Sequence, residues 1–574
     1  MSNKIHFKKK SGASYIDVYA DSSIFESGAN GGFVQKGYDA SSSGLGAVAV
    51  GYRTIASGDY SYAEGAAHAI GSYSHAEGGD NIQGGSPASG EEKLFSKAEG
   101  YASHSEGAAH AIGRYSHAEG GGDSIVEGKK TVPTAEGAYS HAEGSHTYAK
   151  GSRSHAEGLL TEALGDGSHT EGYETIGRNA NDHAEGLKTV AEGWGSHAEG
   201  ELSEASAARS HAEGYNTKTG GSDTTNSRTT GTVAGGYSHA EGNASIANGQ
   251  AAHAEGTNTL ASNHSSHAEG SKTIASAPQS HAEGINTQAI ANRAHAEGNG
   301  SIASGENSHA EGSGTIASSN GAHSEGNNTD ASGLQAHAEG LSTIASGARS
   351  HAEGNGSKAT GNFSHAENRT TIAQGHSSHA EGYQTVAGTD EKQEANSDET
   401  AGYFTHAEGN GTRAYGNSSH AEGKGTQANG LASHAEGRGT KADGLHSHTE
   451  GTCSETTGPH SHAEGYETRA KNWASHVEGS HTEAQNSSEH AEGSYNKSNK
   501  ASKNYGDAGN TQHSVGIGTS LNYLKNAFEI MQNGLAFIIG VNGYDGTNPD
   551  KTRSIQALFE TISPNSVDWS KLGY

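Results

Sequence analysis

Ser154-His155-Ala156-Glu157-Gly158 returns at multiples of fourteen residues, as Ser196 to Gly200 and Ser266 to Gly270, and close variants run from His75 to His490. A period that short holds one supersecondary unit. The chain is therefore expected to be a stack of near-identical coils rather than a set of globular domains. Working outward from the phrase, its second residue exchanges with Val48 in Ala47-Val48-Ala49-Val50-Gly51 and with Val515 in Ser514-Val515-Gly516-Ile517-Gly518. Glu in turn exchanges with Val50 and Ile517. Alternate residues of a strand share a face, so His and Glu occupy the face used elsewhere by Val and Ile. That face is expected to line the inside of the coil, with Val48, Val50, His75, Glu77, His434, Glu436, Val515 and Ile517 as core positions.

The other half of the repeat reads Gly-x-x-Thr-x-Ala, as in Thr273-Ile274-Ala275, Thr329-Asp330-Ala331, Thr440-Lys441-Ala442 and Thr468-Arg469-Ala470. A middle position that accepts Ile, Asp, Lys and Arg faces water, so its small neighbours face inward. Each coil is then two short strands joined by glycine-rich turns, the glycines supplying positive φ. The Ser and Ala of Ser-His-Ala-Glu are left for the outer face of the first strand. Their uniform small size there suggests close packing against other copies of the chain, three copies being the simplest closed arrangement. About thirty coils at roughly 4.8 Å each would make a rod on the order of 140 to 150 Å long.

Composition narrows the function. Hydrophobic residues are 30% and aromatics 6% of 574 residues, with 86 glycines, a balance that would leave an aperiodic chain disordered. The formal charge of -29 disfavours nucleic acid or an anionic membrane as a partner of the main body. Only Lys8 to Lys10 are locally basic. Cys453 is alone, so neither an internal disulfide framework nor a cysteine metal cluster is expected. Met1 to Lys10 has no apolar core of signal-peptide length and no stretch of 18 apolar residues follows, so export by a signal peptide and membrane insertion are not expected.

The fourteen-residue pattern, with Gly44-Leu45-Gly46-Ala47-Val48-Ala49-Val50-Gly51 and Ser514-Val515-Gly516-Ile517-Gly518 as its apolar forms, resembles the head repeats of the YadA-like trimeric adhesins. In its Ser-His-Ala-Glu-Gly variant it is similar to tail-fibre proteins of phages of Gram-positive bacteria. The resemblance covers roughly residues 41 to 520. It implies an all-β chain forming a left-handed parallel β-roll in a homotrimer, with adhesion to a bacterial surface as the activity. Its implied partners are other tail or baseplate proteins and a surface glycan or protein receptor, and its implied location is a virion tail.

Some 27 of the 37 histidines occupy the repeat slot. The pair is expected to form a polar hydrogen-bonded ladder in which protonated His offsets Glu. Metal binding is the alternative, because His and carboxylate at i and i+2 can share an ion. The positions would be His155, Glu157, His197, Glu199, His267, Glu269, His309, Glu311, His351 and Glu353. Catalysis is not expected and no cofactor is required, since a pair that recurs in nearly every coil singles out no nucleophile. A cell-anchored adhesin, a surface-polysaccharide hydrolase and a His-rich metal-binding rod are the rival functions.

Residues 1–40 fall outside the repeat and are expected to dock or cap, Tyr15-Ile16-Asp17-Val18-Tyr19 reading as a strand. The repeat occupies 41–518, interrupted by polar insertions near 79–91, 121–133, 215–236 and 387–403. In 519–574, Gln532-Asn533-Gly534 between apolar runs predicts a hairpin. Ile555, Leu558, Phe559 and Ile562 at i, i+3, i+4 and i+7 predict a helix that clamps the trimer or forms a tip.

Overall fold

The computed structural model describes residues 4–11, 14–21, 25–35, 39–78, 95–121, 132–220, 236–388, 402–538 and 553–554. The chain divides into two compact units, Met1–Arg293 and Ala294–Tyr574. Both are built of the same coil, and the architecture is an all-β parallel β-solenoid. Among the described residues the one helical segment is the single 3₁₀ turn Ala29–Gly31.

One coil shows how the sequence dictates the fold. His155–Leu159 is the first strand and Glu162–Ala163 the second. Gly158, at φ +113°, and Leu160, at φ +60°, turn the chain between them, and Gly167, at φ +68°, returns it to the next coil. The strands pair in parallel and in perfect register with the neighbouring coils, His155 with His169 and Glu157 with Glu171. Glu162 likewise pairs with Ile176. A fixed period with no register slip puts every slot of the repeat in a column.

The interior is made of very small side chains. Ser154 is 1% exposed, and Ala156, Thr161 and Ala163 are fully buried. Many of the serines are satisfied locally, as where Ser154 Oγ donates to the carbonyl of Gly151 at 2.7 Å. With nothing larger than Thr or Ser in most coils, the two sheets close to a distance that an imidazole could not enter, so burial comes from many small groups rather than from a few large ones. Among the described residues Val477 is the bulkiest occupant of the Ala slot, and it too is fully buried.

This reverses the expected sidedness of the first strand. Val48, Val50, His75, His434, Glu436 and Val515 are only partly buried, while Glu77 and Ile517 are exposed. They all lie on the outer face, and the Ser and Ala assigned to a contact between copies are the core. The sequence inference equated apolar with inside. A coil this thin selects for size instead, and the Val and Ile of the apolar variants mark a half-buried outer face. The second strand follows expectation, Thr273 and Ala275 being fully buried.

The bodies of the four insertions lie outside the described residues, but the coils that flank them pair directly: His75 with His104, His117 with His141, His211 with His239 and His379 with His406. The first coil of Met1–Arg293 and the last coil of Ala294–Tyr574 each meet antiparallel pairing. Phe25–Ser27 and Phe33–Gln35 form a hairpin whose second strand pairs with Val48–Val50, so the first coil presents no free edge there. A separate hairpin joins Lys4–Ser11 to Ser14–Asp21.

At the other end Thr511–Ile517 pairs in parallel with His490–Ser494 and antiparallel with Asn526–Met531. The parallel register sets His513 beside His490, Val515 beside Glu492 and Ile517 beside Ser494. Val515 thus takes the glutamate slot rather than the histidine slot expected of it, and Ile517 lies beyond the glutamate slot. Asn526–Met531 forms the predicted hairpin with Ala536–Ile538. The helix expected beyond it lies outside the described residues at Ile555, Leu558, Phe559 and Ile562. Arg553–Ser554, just before them, is a strand paired with Ala536–Ile538.

Candidate functional site: the histidine and glutamate face

Because the register never slips, the histidines of successive coils fall directly above one another. Within Met1–Arg293 their rings stack from His75 through His104, His117 and onward to His281, and within Ala294–Tyr574 from His295 to His513. Ring centroids are 4.5 to 5.0 Å apart and the planes lie within 16° of parallel. The glutamates form a second column beside them, two residues along the same strand. His155 Nε2 lies 3.8 Å from the Glu157 carboxylate, His197 3.9 Å from Glu199, His267 3.8 Å from Glu269, His309 3.8 Å from Glu311 and His351 3.6 Å from Glu353. All ten residues singled out as metal candidates thus come together in pairs on one face. That face is outward, not luminal.

Some imidazoles, among them His379, His448, His462 and His490, also meet the glutamate of the preceding coil. His379 Nε2 is 3.7 Å from both Glu367 and Glu381, and in the last coils the cross-coil contact takes over, as in His462 to Glu450 at 3.7 Å. These distances exceed a hydrogen bond, and the Nε2 atoms of His141, His155, His183, His197, His211 and His239 are shut off from solvent without a hydrogen-bond partner.

The expected protonated state does not hold at the rings whose titration is displaced. Burial of the ring holds His155 and His197 down to about 4, and the positive charge that their stacked neighbours would carry adds to the shift. Burial is likewise the largest cause for His183, His267 and His351, whose glutamate neighbours oppose it only in part. At neutral pH these five rings are neutral imidazole, a lone-pair acceptor at Nε2 or Nδ1, and do not offset the charge of the glutamates beside them. Towards the carboxyl end the carboxylates crowd one another. Glu450 is raised chiefly by its contact with Glu436, while Glu436 is lowered by the reciprocal contact, so neighbouring carboxylates share protons.

Two features escaped the reading of the sequence. Tyr73, Tyr101, Tyr115 and Tyr139 form an exposed column at the turn that precedes the Ser-His step, with consecutive centroids 5.0 to 5.6 Å apart and Tyr60 stacked beneath at 5.3 Å. Tyr139 is 62% exposed. Arg114 lies over Tyr101 and Tyr115 at 5.6 and 5.9 Å. A tyrosine directly before Ser74, Ser116 and Ser140 is visible in the sequence and was a usable signal.

The second is a pair of buried acids in the serine slot. Asp182 accepts from the backbone N–H groups of Asn179 and Ser196 and is pushed up to about 6 by burial. Glu489 accepts from Gln485 N–H, Asn486 N–H, Asn486 Nδ2 and Ser498 Oγ on one oxygen, and burial pushes it up to about 7.

No family model and no curated protein matches the chain.

Proposed function

We propose that this chain is the shaft of a homotrimeric adhesive fibre of a phage tail or a comparable particle, which attaches to a bacterial surface polymer and performs no catalysis. One contrast carries the proposal: the outer face of the first strand is nearly invariant, His and Glu in coil after coil, whereas the outer position of the second strand is Ile274, Asp330, Lys441 or Arg469. A freely solvated face would vary in both places. The uniform, half-buried face, which carries Val48, Val50 and Val515 in the apolar coils, is the one suited to meeting other copies, and three such faces close around an axis.

The variable faces and the turns are then left for the target. A surface glycan is the target that fits the tyrosine column: flat rings, one per coil, stack on successive sugar faces, and the phenol hydroxyls and Arg114 supply hydrogen bonds. Three identical columns turn weak contacts into firm attachment through avidity. The amino end is the natural point of attachment to the particle, with the carboxyl end outward.

Native mass spectrometry of the full chain tests the assembly, with three copies expected and a stable monomer at micromolar concentration against it. Retention on isolated cell-wall glycans tests the target. Retention that falls at least tenfold when Tyr73, Tyr115 and Tyr139 are changed to Ala, with an unchanged melting temperature, supports the column. Release of soluble oligosaccharide would instead favour a hydrolase.

A further inference from the structure

The histidine and glutamate columns, on the face proposed to meet other copies, hold their side chains in a geometry that such packing alone does not explain. We infer that this face binds divalent transition-metal ions, each held by two successive histidines and the glutamate between them. The triads His141-Glu143-His155, His183-Glu185-His197, His197-Glu199-His211, His211-Glu213-His239 and His295-Glu297-His309 each bring one ligand atom per residue within 4.8 Å of the others, and nine further groups do the same. All of these triads come from a single chain, so the inference stands whether or not the trimer does.

Ligand atoms about 2.0 to 2.1 Å from a tetrahedral ion are roughly 3.4 Å apart. The imidazole and carboxylate of His141 and Glu143 stand 3.8 Å apart and those of His183 and Glu185 4.0 Å, with the second histidine of each triad within 4.8 Å, so side-chain rotations that draw the three ligand atoms together would close the triad. The unpartnered Nε2 atoms are a separate reason. A polar atom shielded from water and lacking a hydrogen bond is unfavourable, and here the same position recurs in coil after coil. An ion would satisfy them, and its charge would also offset the carboxylate column in a chain of formal charge -29.

Two imidazoles and one carboxylate suit zinc, cobalt or nickel; magnesium and calcium prefer oxygen alone. Three protein ligands leave a fourth position for water or for a group of another copy across the same face, where Glu185 is 46% exposed in the single chain.

The overlap of the triads sets the stoichiometry. His197 belongs to the triads of both Glu185 and Glu199, and His211 to those of both Glu199 and Glu213. A neutral imidazole nitrogen has a single lone pair for one ion. The middle triad therefore cannot fill when its neighbours do, and His183, His197, His211 and His239 together hold two ions, not three. Loading stops at one ion per two ladder histidines.

Full-length protein stripped with chelator and titrated with zinc, cobalt and calcium in turn provides the test. Zinc is expected to saturate at one ion per two ladder histidines, cobalt to develop the intense visible absorption of a tetrahedral site with nitrogen ligands, and calcium to leave no comparable binding. Changing His183, His197, His211 and His239 to Gln should remove about two ions per chain. Changing His446 and His460 to Gln, a stacked pair outside the ladder, should remove none. Fewer than one zinc per chain, calcium uptake equal to zinc, or weak octahedral cobalt absorption would each overturn the inference. The cobalt spectrum of the unaltered chain decides the matter even if the quadruple variant fails to fold.

Discussion

The imidazole of His183 stacks on that of His197 with centroids 4.5 Å apart and planes 4° from parallel, and a glutamate carboxylate lies 3.9 to 4.0 Å from each Nε2. A carboxylate that close favours the imidazolium, yet both rings are held below the ordinary histidine value because burial outweighs it. A base whose folded value is lowered binds its proton more tightly when the chain unfolds. Stability is therefore complete above the unfolded value of about 6.5 and is lost as pH falls from there towards about 4. Metal-free protein should show a melting temperature that is level from pH 7 to 9 and drops steeply between pH 6.5 and 4. A maximum near pH 6, as protonated His paired with Glu would produce, contradicts this account.

Glu489 should act in the opposite sense. Its folded value lies above the unfolded one, so its stabilising contribution is complete below about pH 4.5 and disappears by about pH 7. A shift of that size is worth about 3 kcal/mol. Since all four donors converge on one oxygen and the other has no hydrogen-bond partner, glutamine fits with its amide nitrogen in the vacant direction. Glu489→Gln should raise stability towards urea by up to about 3 kcal/mol at pH 8 and change it little at pH 4. Comparing variant and parent at each pH cancels the ladder's own titration, and equal curves at both pH values would contradict the assignment.

Periodicity alone was enough to read the solenoid, because a repeat of fourteen residues leaves room for two short strands and their turns and nothing else. The second strand was legible to the residue, since a position accepting Ile274, Asp330, Lys441 and Arg469 has only one side to face. The first strand was not. Its small and large positions are both uniform, and uniformity marks a core and a contact face equally well. Hydrophobicity then pointed the wrong way, because Val48 and Val515 lie outside while Ser74 and Ser154 lie within. Side-chain volume would have decided correctly.

Glycine is required for different reasons in different columns. A Cβ on Gly158 would stand 2.2 Å from the carbonyl oxygen of Gly172 at φ +113°, whereas Gly195, at φ +65°, has nothing within 4 Å. Gly195→Ala should cost about 1 kcal/mol, for the left-handed backbone alone. Gly158→Ala adds a clash with the next coil and should cost about 3 kcal/mol or more. Amide hydrogen exchange would localise the loss to the strands His155–Leu159 and His169–Tyr173. Equal costs at the two sites would show that stacking distance does not dictate the column.

The inverted sidedness of the first strand is itself open to mutation. Ala268 is fully buried between Ala254 and Ala282 in register, and its column admits nothing larger than Val477 among the described residues. Ala268→Leu must therefore push the two sheets apart, at about 1 to 3 kcal/mol. His267, one residue earlier, points outward into the column where Val48 also stands, and a β-branched side chain suits a half-buried strand face. His267→Val should then change stability by less than about 1 kcal/mol in metal-free protein. Urea midpoints of the two variants distinguish the arrangements: a severe loss for His267→Val with tolerance of Ala268→Leu would return the imidazoles to the lumen.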